Sequence, residues 1–230
     1  MRTFWLLLLA LPGSAQWLDL IDRELTHWQV IGDGVWKVTS NGILIGQRDL
    51  TKPYKKTDPD QSWLYTKEEF GEFDLELDYW TRLGGNSGIS LRDTSRARYS
   101  FGNEADPNRT PSHIGYEIQI SNGYRDRYPT GSLYLFQPAS GVEQNPYDWN
   151  RMTIQSRNDI IRVFVNGKLV MEHPGDPNRP KVGPVGLQLH DRQSIVMFQR
   201  IRINAAPRKS ASAAPRLRLP AHLRQLQHDD

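Results

Sequence analysis

An all-β fold, two antiparallel sheets packed as a sandwich or jelly roll, is what the chain predicts. Three observations point there: short alternating runs of apolar and polar residues, a strong hairpin signal, and no sustained helical period. In FDLELDYW (73–80), Phe73, Leu75, Leu77 and Tyr79 fall on one face of a strand and Asp74, Glu76 and Asp78 on the other. GISLR (88–92) sets Ile89 and Leu91 against Ser90 and Arg92. IIRVFV (160–165) runs into Asn166-Gly167, the residue pair favoured by a two-residue hairpin turn, and KLVME (168–172) returns. RIRI (200–203) alternates again and directs Ile201 and Ile203 inward. Helix is expected in one place only, as a single turn between Trp17 and Arg23.

The two ends differ from this body. Arg2, the apolar run Phe4 to Leu11 and the small residues Gly13-Ser14-Ala15 form a signal-peptide pattern over residues 1–15. The mature protein is therefore expected outside the cytoplasm, in the periplasm or beyond the cell. No later stretch approaches the roughly 18 apolar residues of a membrane span. From 205 to 230 the composition turns to Ala, Pro, Ser and Arg, which reads as a disordered tail. That tail holds five basic residues (Arg208, Lys209, Arg216, Arg218, Arg224) against Asp229 and Asp230, matching the whole chain's net charge of +3. The body from 16 to 204 is thus near neutral and offers no basic field for nucleic acid. Without cysteine there is neither a disulfide framework nor a thiolate nucleophile or ligand.

Strand parity sorts the remaining polar residues. GGNSGISLR (84–92) puts Asn86, Ser90 and Arg92 on the face opposite its apolar set; GYEIQI (115–120) does the same with Glu117 and Gln119, and GLQLH (186–190) with Gln188 and His190. Amides, an arginine, a carboxylate and an imidazole suit hydroxyl-rich ligands. The plainer reading is a wet sheet face on which Arg92 and Glu117 form a surface ion pair. Among the tryptophans, Trp149 in DWN follows a turn-rich segment and is expected beside a ligand, whereas Trp28 and Trp36 are expected to pack. The long polar segment from Asp93 to Ser112 reads as a loop bordering the site. Nucleophile-elbow and HExxH patterns are absent. Glu76 and Asp78 have the spacing of a glycosidase carboxylate pair, but Asp74 extends the series into an ordinary acidic face.

Taken in order, LIDRELTHW (20–28), VWKVTSNGIL (35–44), SWLYTKEEFGEFDLELDYW (62–80), GGNSGISLR, GYEIQI, TGSLY (130–134), DWN, VNGKLV, GPVGLQLH and MFQRIRI (197–203) resemble the 3-keto-disaccharide hydrolase domain family. The resemblance implies a concanavalin-like jelly roll acting on disaccharides or glycosides already oxidised at C3. It further implies Glu117 and His190 as general base and acid in either assignment, Arg92 and Gln119 on the ketone or hydroxyls, and Asn86 and Gln188 orienting the ring. Tyr134 and Trp149 complete the expected substrate contacts. Where many members read L-Q-D-H-G, this chain has Leu189 and Asp191 around His190. No cofactor is expected, and a divalent cation stays open. A non-catalytic carbohydrate-binding module with the same pocket is the alternative. N-terminal sequencing of the protein from its native host should show Gln16 or a close neighbour; an intact Met1 on the isolated protein would contradict the export expectation.

Overall fold

The computed structural model describes residues 17–51, 61–123 and 126–205; the expected signal peptide and the tail beyond 205 lie outside the described residues. Two antiparallel sheets face each other. The larger has eight strands: β1 (Leu18–Asp19), β3 (Gly34–Val38), β4 (Leu44–Arg48), β6 (Phe73–Thr81), β9 (Asn150–Arg157), β10 (Ile160–Val165), β11 (Lys168–Pro174) and β13 (Ile195–Ala205). The smaller has five: β2 (Trp28–Ile31), β5 (Ser62–Thr66), β7 (Asn86–Leu91), β8 (Tyr116–Ser121) and β12 (Val185–Leu189), in the order β2-β5-β12-β7-β8. The predicted jelly-roll sandwich is the fold observed.

The apolar sets pack against one another between the sheets. Leu75, Leu77 and Tyr79 of β6, Met152 and Ile154 of β9, and Val163 and Val165 of β10 meet Ile89, Leu91, Ile118, Ile120, Leu187 and Leu189, all 1% exposed or less. At roughly 1.5–3 kcal/mol for each fully buried large aliphatic or aromatic side chain, this layer is the main source of stability. Trp28 and Trp36 join it, as expected for packing residues. Asn166 and Gly167, both at positive φ, close the β10–β11 hairpin.

Where a helical turn was expected near the start, Leu18 and Asp19 instead pair with Ile203 and Arg202 of β13. An open sheet edge offers backbone partners that a single isolated turn would lack. The acidic face of β6 is neutralised by arginines: Asp74 by Arg157, Glu76 by Arg202, and the buried Asp78 by Arg151 and Arg200. That excludes Glu76 and Asp78 as a glycosidase pair, since both carboxylates are engaged on the outer face of the larger sheet.

Strand β13 buries Val196 and Phe198, then Ile201 and Ile203, so its inward parity switches from even to odd. A bulge makes the switch possible. The pairing with β6 shifts between Gln199 and Arg202, and Arg200 sits at φ 52. Inserting one alanine after Arg200 should turn Ile201 and Ile203 outward and cost at least about 3 kcal/mol, whereas Arg200→Gly, which suits positive φ, should cost about 1 kcal/mol or less. Urea-denaturation midpoints compare them; equal midpoints would show that the bulge does not set the parity.

Candidate active site

On the five-stranded sheet, the face turned away from the core is where the polar residues collect. Tyr65 of β5, Gly186 of β12, Ser90 of β7 and Glu117 of β8 lie in one cross-strand row, because Gly186 pairs with both Tyr65 and Ser90, and Ser90 pairs with Glu117. The next row holds Gln188 opposite Trp63 and Gly88 opposite Gln119. Two glycines make room for their larger neighbours. A Cβ on Gly88 would come within 2.6 Å of Glu117 Oε1 and 3.3 Å of Gln188 Oε1, and one on Gly186 within 2.5 Å of the Tyr65 ring. Both side chains therefore lie down against the sheet instead of standing into solvent.

Glu117 is consequently only 6% exposed. Burial raises its carboxyl pKa to about 7, an effect partly offset by the nearby Gln188 amide. Gln188 Oε1 is buried and has no hydrogen-bond partner among the described residues. An acceptor left in that state is a place for a ligand hydroxyl. Gln119 Nε2 donates to Asn86 Oδ1 at 3.2 Å, so these two amides are fixed as a pair. The segment after β8 folds back along its edge: Gln119 N donates to Ser132 O and Tyr134 N to Glu117 O, at 2.9 and 2.8 Å. Tyr134 thereby stands next to Glu117, and partial burial together with that carboxylate raises its phenol pKa.

The long loop forms the opposite wall. Asp93, fully buried, accepts from Ser95 N and Oγ, Ala97 N and the Tyr65 hydroxyl, the last at 2.8 Å. The loop covers Trp63 and Tyr65 with Ala97 and Phe101 and then enters a short helix, α1 (Pro111–Ile114). Thr110 Oγ1 contacts His113 Nδ1 at 2.7 Å and Ser112 Oγ at 3.0 Å. Arg179, lying over the Phe136 and Tyr116 rings, donates to the carbonyls of Ser112 and Gly115 and pins this turn.

Between wall and floor is a cavity of about 210 Å³, lined by Asn86, Glu117, Gln119, Gln188, His190 and Tyr134 together with Gln61, Pro107, Thr110, Ser112, His113 and Leu135. That is below the roughly 300–1,000 Å³ of sites for drug-sized ligands and suits one small polar ring. His190 stands at its rim, 43% exposed, with a buried Nδ1 that makes no hydrogen bond among the described residues and lies 3.8 Å from Asp191 Oδ2.

Six of the eight expected site residues thus meet at one cavity, and two do not. At Arg92 the backbone turns to φ 60, which ends the alternation, and the guanidinium bonds Ser156 Oγ and Gly71 O instead of facing the pocket. The surface ion pair with Glu117 does not form either; the acidic neighbour of Arg92 is Asp159, at 3.9 Å. Trp149 leads into β9, a strand of the other sheet, and does not line the cavity. Leu189, which stands in place of the aspartate of the L-Q-D-H-G pattern, is fully buried in the core. Among the described residues, no group of three or more His, Asp or Glu side chains is arranged to hold a metal ion. Thr110 and His113 were missed because their loop has no period to sort its residues; only its placement beside the site was legible.

The sequence profile of the 3-keto-alpha-glucoside-1,2-lyase-like domain matches residues 16–204. The chain belongs to this family. A candidate glycosyl hydrolase from Parabacteroides distasonis shares the fold of this lyase-like domain with a TM-score of 0.59 and 24% identity, over 83% of this chain and 100% of that one. A second such protein from the same organism gives a TM-score of 0.59 at 16% identity, covering 79% and 90%. A Bacillus subtilis protein of unknown function with a galectin-like fold gives 0.56 at 13% identity, covering 84% and 96%. No curated protein sequence matches the chain.

The buried carboxyl has a measurable consequence for stability. Its folded-state pKa of about 7 lies above the ordinary 4.5, so below pH 4.5 it is protonated in both states and its ionisation costs nothing. As pH rises to 7 the unfolded chain ionises first and stability falls, by ~3 kcal/mol in all. Glu117→Gln should therefore be more stable than the wild type at pH 8, with the gap closing toward pH 4.5. A pH-independent gap in urea or thermal melts would contradict the burial argument.

Proposed function

We propose that the protein cleaves 3-keto-glycosides, including 3-keto-disaccharides, by β-elimination, with water adding afterwards in the hydrolytic outcome. The observation that carries this reading is Glu117: a desolvated carboxyl poised near pH 7 on the floor of a small polar cavity, within a chain of the 3-keto-alpha-glucoside-1,2-lyase-like family. A ketone at C3 acidifies the hydrogen on C2, and a single well-placed base then suffices where an unactivated glycoside would need two opposed carboxylates. Glu117 takes the C2 proton. His190 and Tyr134, which line the same cavity, stabilise the enolate oxygen as charge develops on it. Asn86, Gln119 and Gln188 orient the ring through its hydroxyls, Gln188 Oε1 accepting the hydrogen bond it otherwise lacks. The same proposal has the signal-peptide pattern at residues 1–15 export the protein, so that it acts outside the cytoplasm.

The test is incubation with a 3-keto-glucoside while release of its alcohol or phenol is followed. With a 4-nitrophenyl 3-keto-glucoside, whose leaving group needs no proton, wild-type turnover should rise with pH through about 7, because only the ionised Glu117 is a base. Glu117→Gln should lower kcat at least about 10²-fold while substrate binding is largely kept. A non-catalytic sugar-binding module would show binding without turnover in the wild type, and that result would overturn the reading.

A further inference from the structure

A second cavity, of about 240 Å³, adjoins the first and shares Gln61, Pro107 and Thr110 with it. It extends under the 93–112 loop to Tyr99, Ser100 and Ala105. Two features mark it as more than a surface fold. Ser100 Oγ is buried with no hydrogen-bond partner among the described residues, a polar atom waiting for a ligand hydroxyl. The Tyr99 ring is held from one side by Arg109, whose guanidinium carbon lies 3.5 Å from the ring centroid. Thr110 belongs to the shared wall, and its hydroxyl is engaged by His113 Nδ1 and Ser112 Oγ.

We infer that the second cavity holds the leaving half of the substrate, a sugar or other alcohol, and that Thr110 relays a proton from His113 to the departing oxygen. The inference rests on the 3-keto-glycoside reading above. A substrate filling both cavities puts its glycosidic oxygen at their common wall, beside Thr110 Oγ1. A hydroxyl accepts two hydrogen bonds and donates one. With Ser112 and His113 as the two donors, the Thr110 proton is left to point at that oxygen. In the reaction, the C2–H bond breaks toward Glu117 and its electron pair becomes the C1=C2 double bond. The C1–O bond breaks, its pair stays on oxygen, and that oxygen takes the Thr110 proton while Thr110 takes the proton on His113 Nδ1. An alcohol and an unsaturated 3-ketone result, with Glu117 protonated and His113 neutral. Adding water across C1=C2 returns the Glu117 proton to C2 and a water proton to His113, so the hydrolytic cycle closes without another reactant.

Leaving-group dependence separates this role from a structural one. An alkoxide needs a proton to depart, whereas 4-nitrophenolate does not. With methyl 3-keto-glucoside, His113→Gln and Thr110→Val should each lose at least about 10²-fold in kcat, and with 4-nitrophenyl 3-keto-glucoside less than about threefold. The nitrophenyl substrate also reports that each variant is folded. Ala105→Trp, on the wall of the second cavity, should raise KM for a 3-keto-disaccharide about tenfold and leave the methyl glycoside within about twofold. Equal losses on both leaving groups would overturn the relay, and an unchanged disaccharide KM would overturn the second cavity. Glu117→Gln must impair both glucosides alike; a wild type that turns over neither brings down the underlying reading instead.

Discussion

A carboxyl group in a place that disfavours its charge is the constraint on which the site depends. Glu117 is on a strand whose outer face would ordinarily be wet, and it becomes buried because Gly88 across the ladder has no side chain. The carboxyl then occupies the space a Cβ would take, under Tyr134 and beside Gln188. The carboxyl is buried and forms no ion pair among the described residues, so desolvation dominates and the proton is held up to about pH 7. Had an arginine stood alongside, as it does for each carboxylate of β6, the same glutamate would be a spent ion pair. The two sheets thus treat their outward acids in opposite ways. On the larger sheet they are neutralised and structural. On the smaller one a single acid is left unpaired and basic enough to be useful.

Strand parity made much of this legible, since the sandwich core decides which way every second residue points. Asn86, Glu117, Gln119, Gln188 and His190 were placed by that rule and do share a cavity. The rule holds only while the backbone stays extended. At Arg92 a residue in the left-handed region ends it, and the side chain turns in toward Ser156 between the sheets. In β13 a bulge at Arg200 shifts it by one. Trp149 fails for another reason: local composition suggested a loop near a ligand, but sheet membership is a long-range property that no local window contains. Thr110 and His113 lie where the chain has no period at all, so nothing in their spacing could rank them above their neighbours.

What gives that aperiodic segment a definite shape is a pair of anchors at its ends. At the start, Asp93 is buried and gathers two backbone N–H groups, the Ser95 hydroxyl and Tyr65 Oη. Tyr65 Oη also approaches Ser90 Oγ at 3.3 Å, and Ser90 stands next to Glu117 in the ladder. At the far end Arg179 grips the carbonyls of Ser112 and Gly115 while its guanidinium lies against two aromatic rings. A loop tied at both ends to the rigid sheet and its neighbours can position side chains nearly as well as a strand does.

The floor and the wall therefore have different origins and are joined by Tyr65. Its ring lies over Gly186 on the floor, and its hydroxyl holds the carboxylate that starts the wall. Burial keeps this phenol protonated, its pKa raised well above the usual value, so it stays a donor to Asp93 throughout the working range. A site assembled this way can keep its floor carboxyl constant while the wall changes. Glu117 depends on Gly88 and the strand ladder, whereas the second cavity depends on the residues strung between Asp93 and Thr110. In the reading proposed above, substitutions at Tyr99, Ser100 or Ala105 change the room for the leaving group and leave the Glu117 carboxyl in place. The proposed base is thus held by the regular part of the fold, and the proposed relay and leaving-group cavity by the part that follows no regular rule.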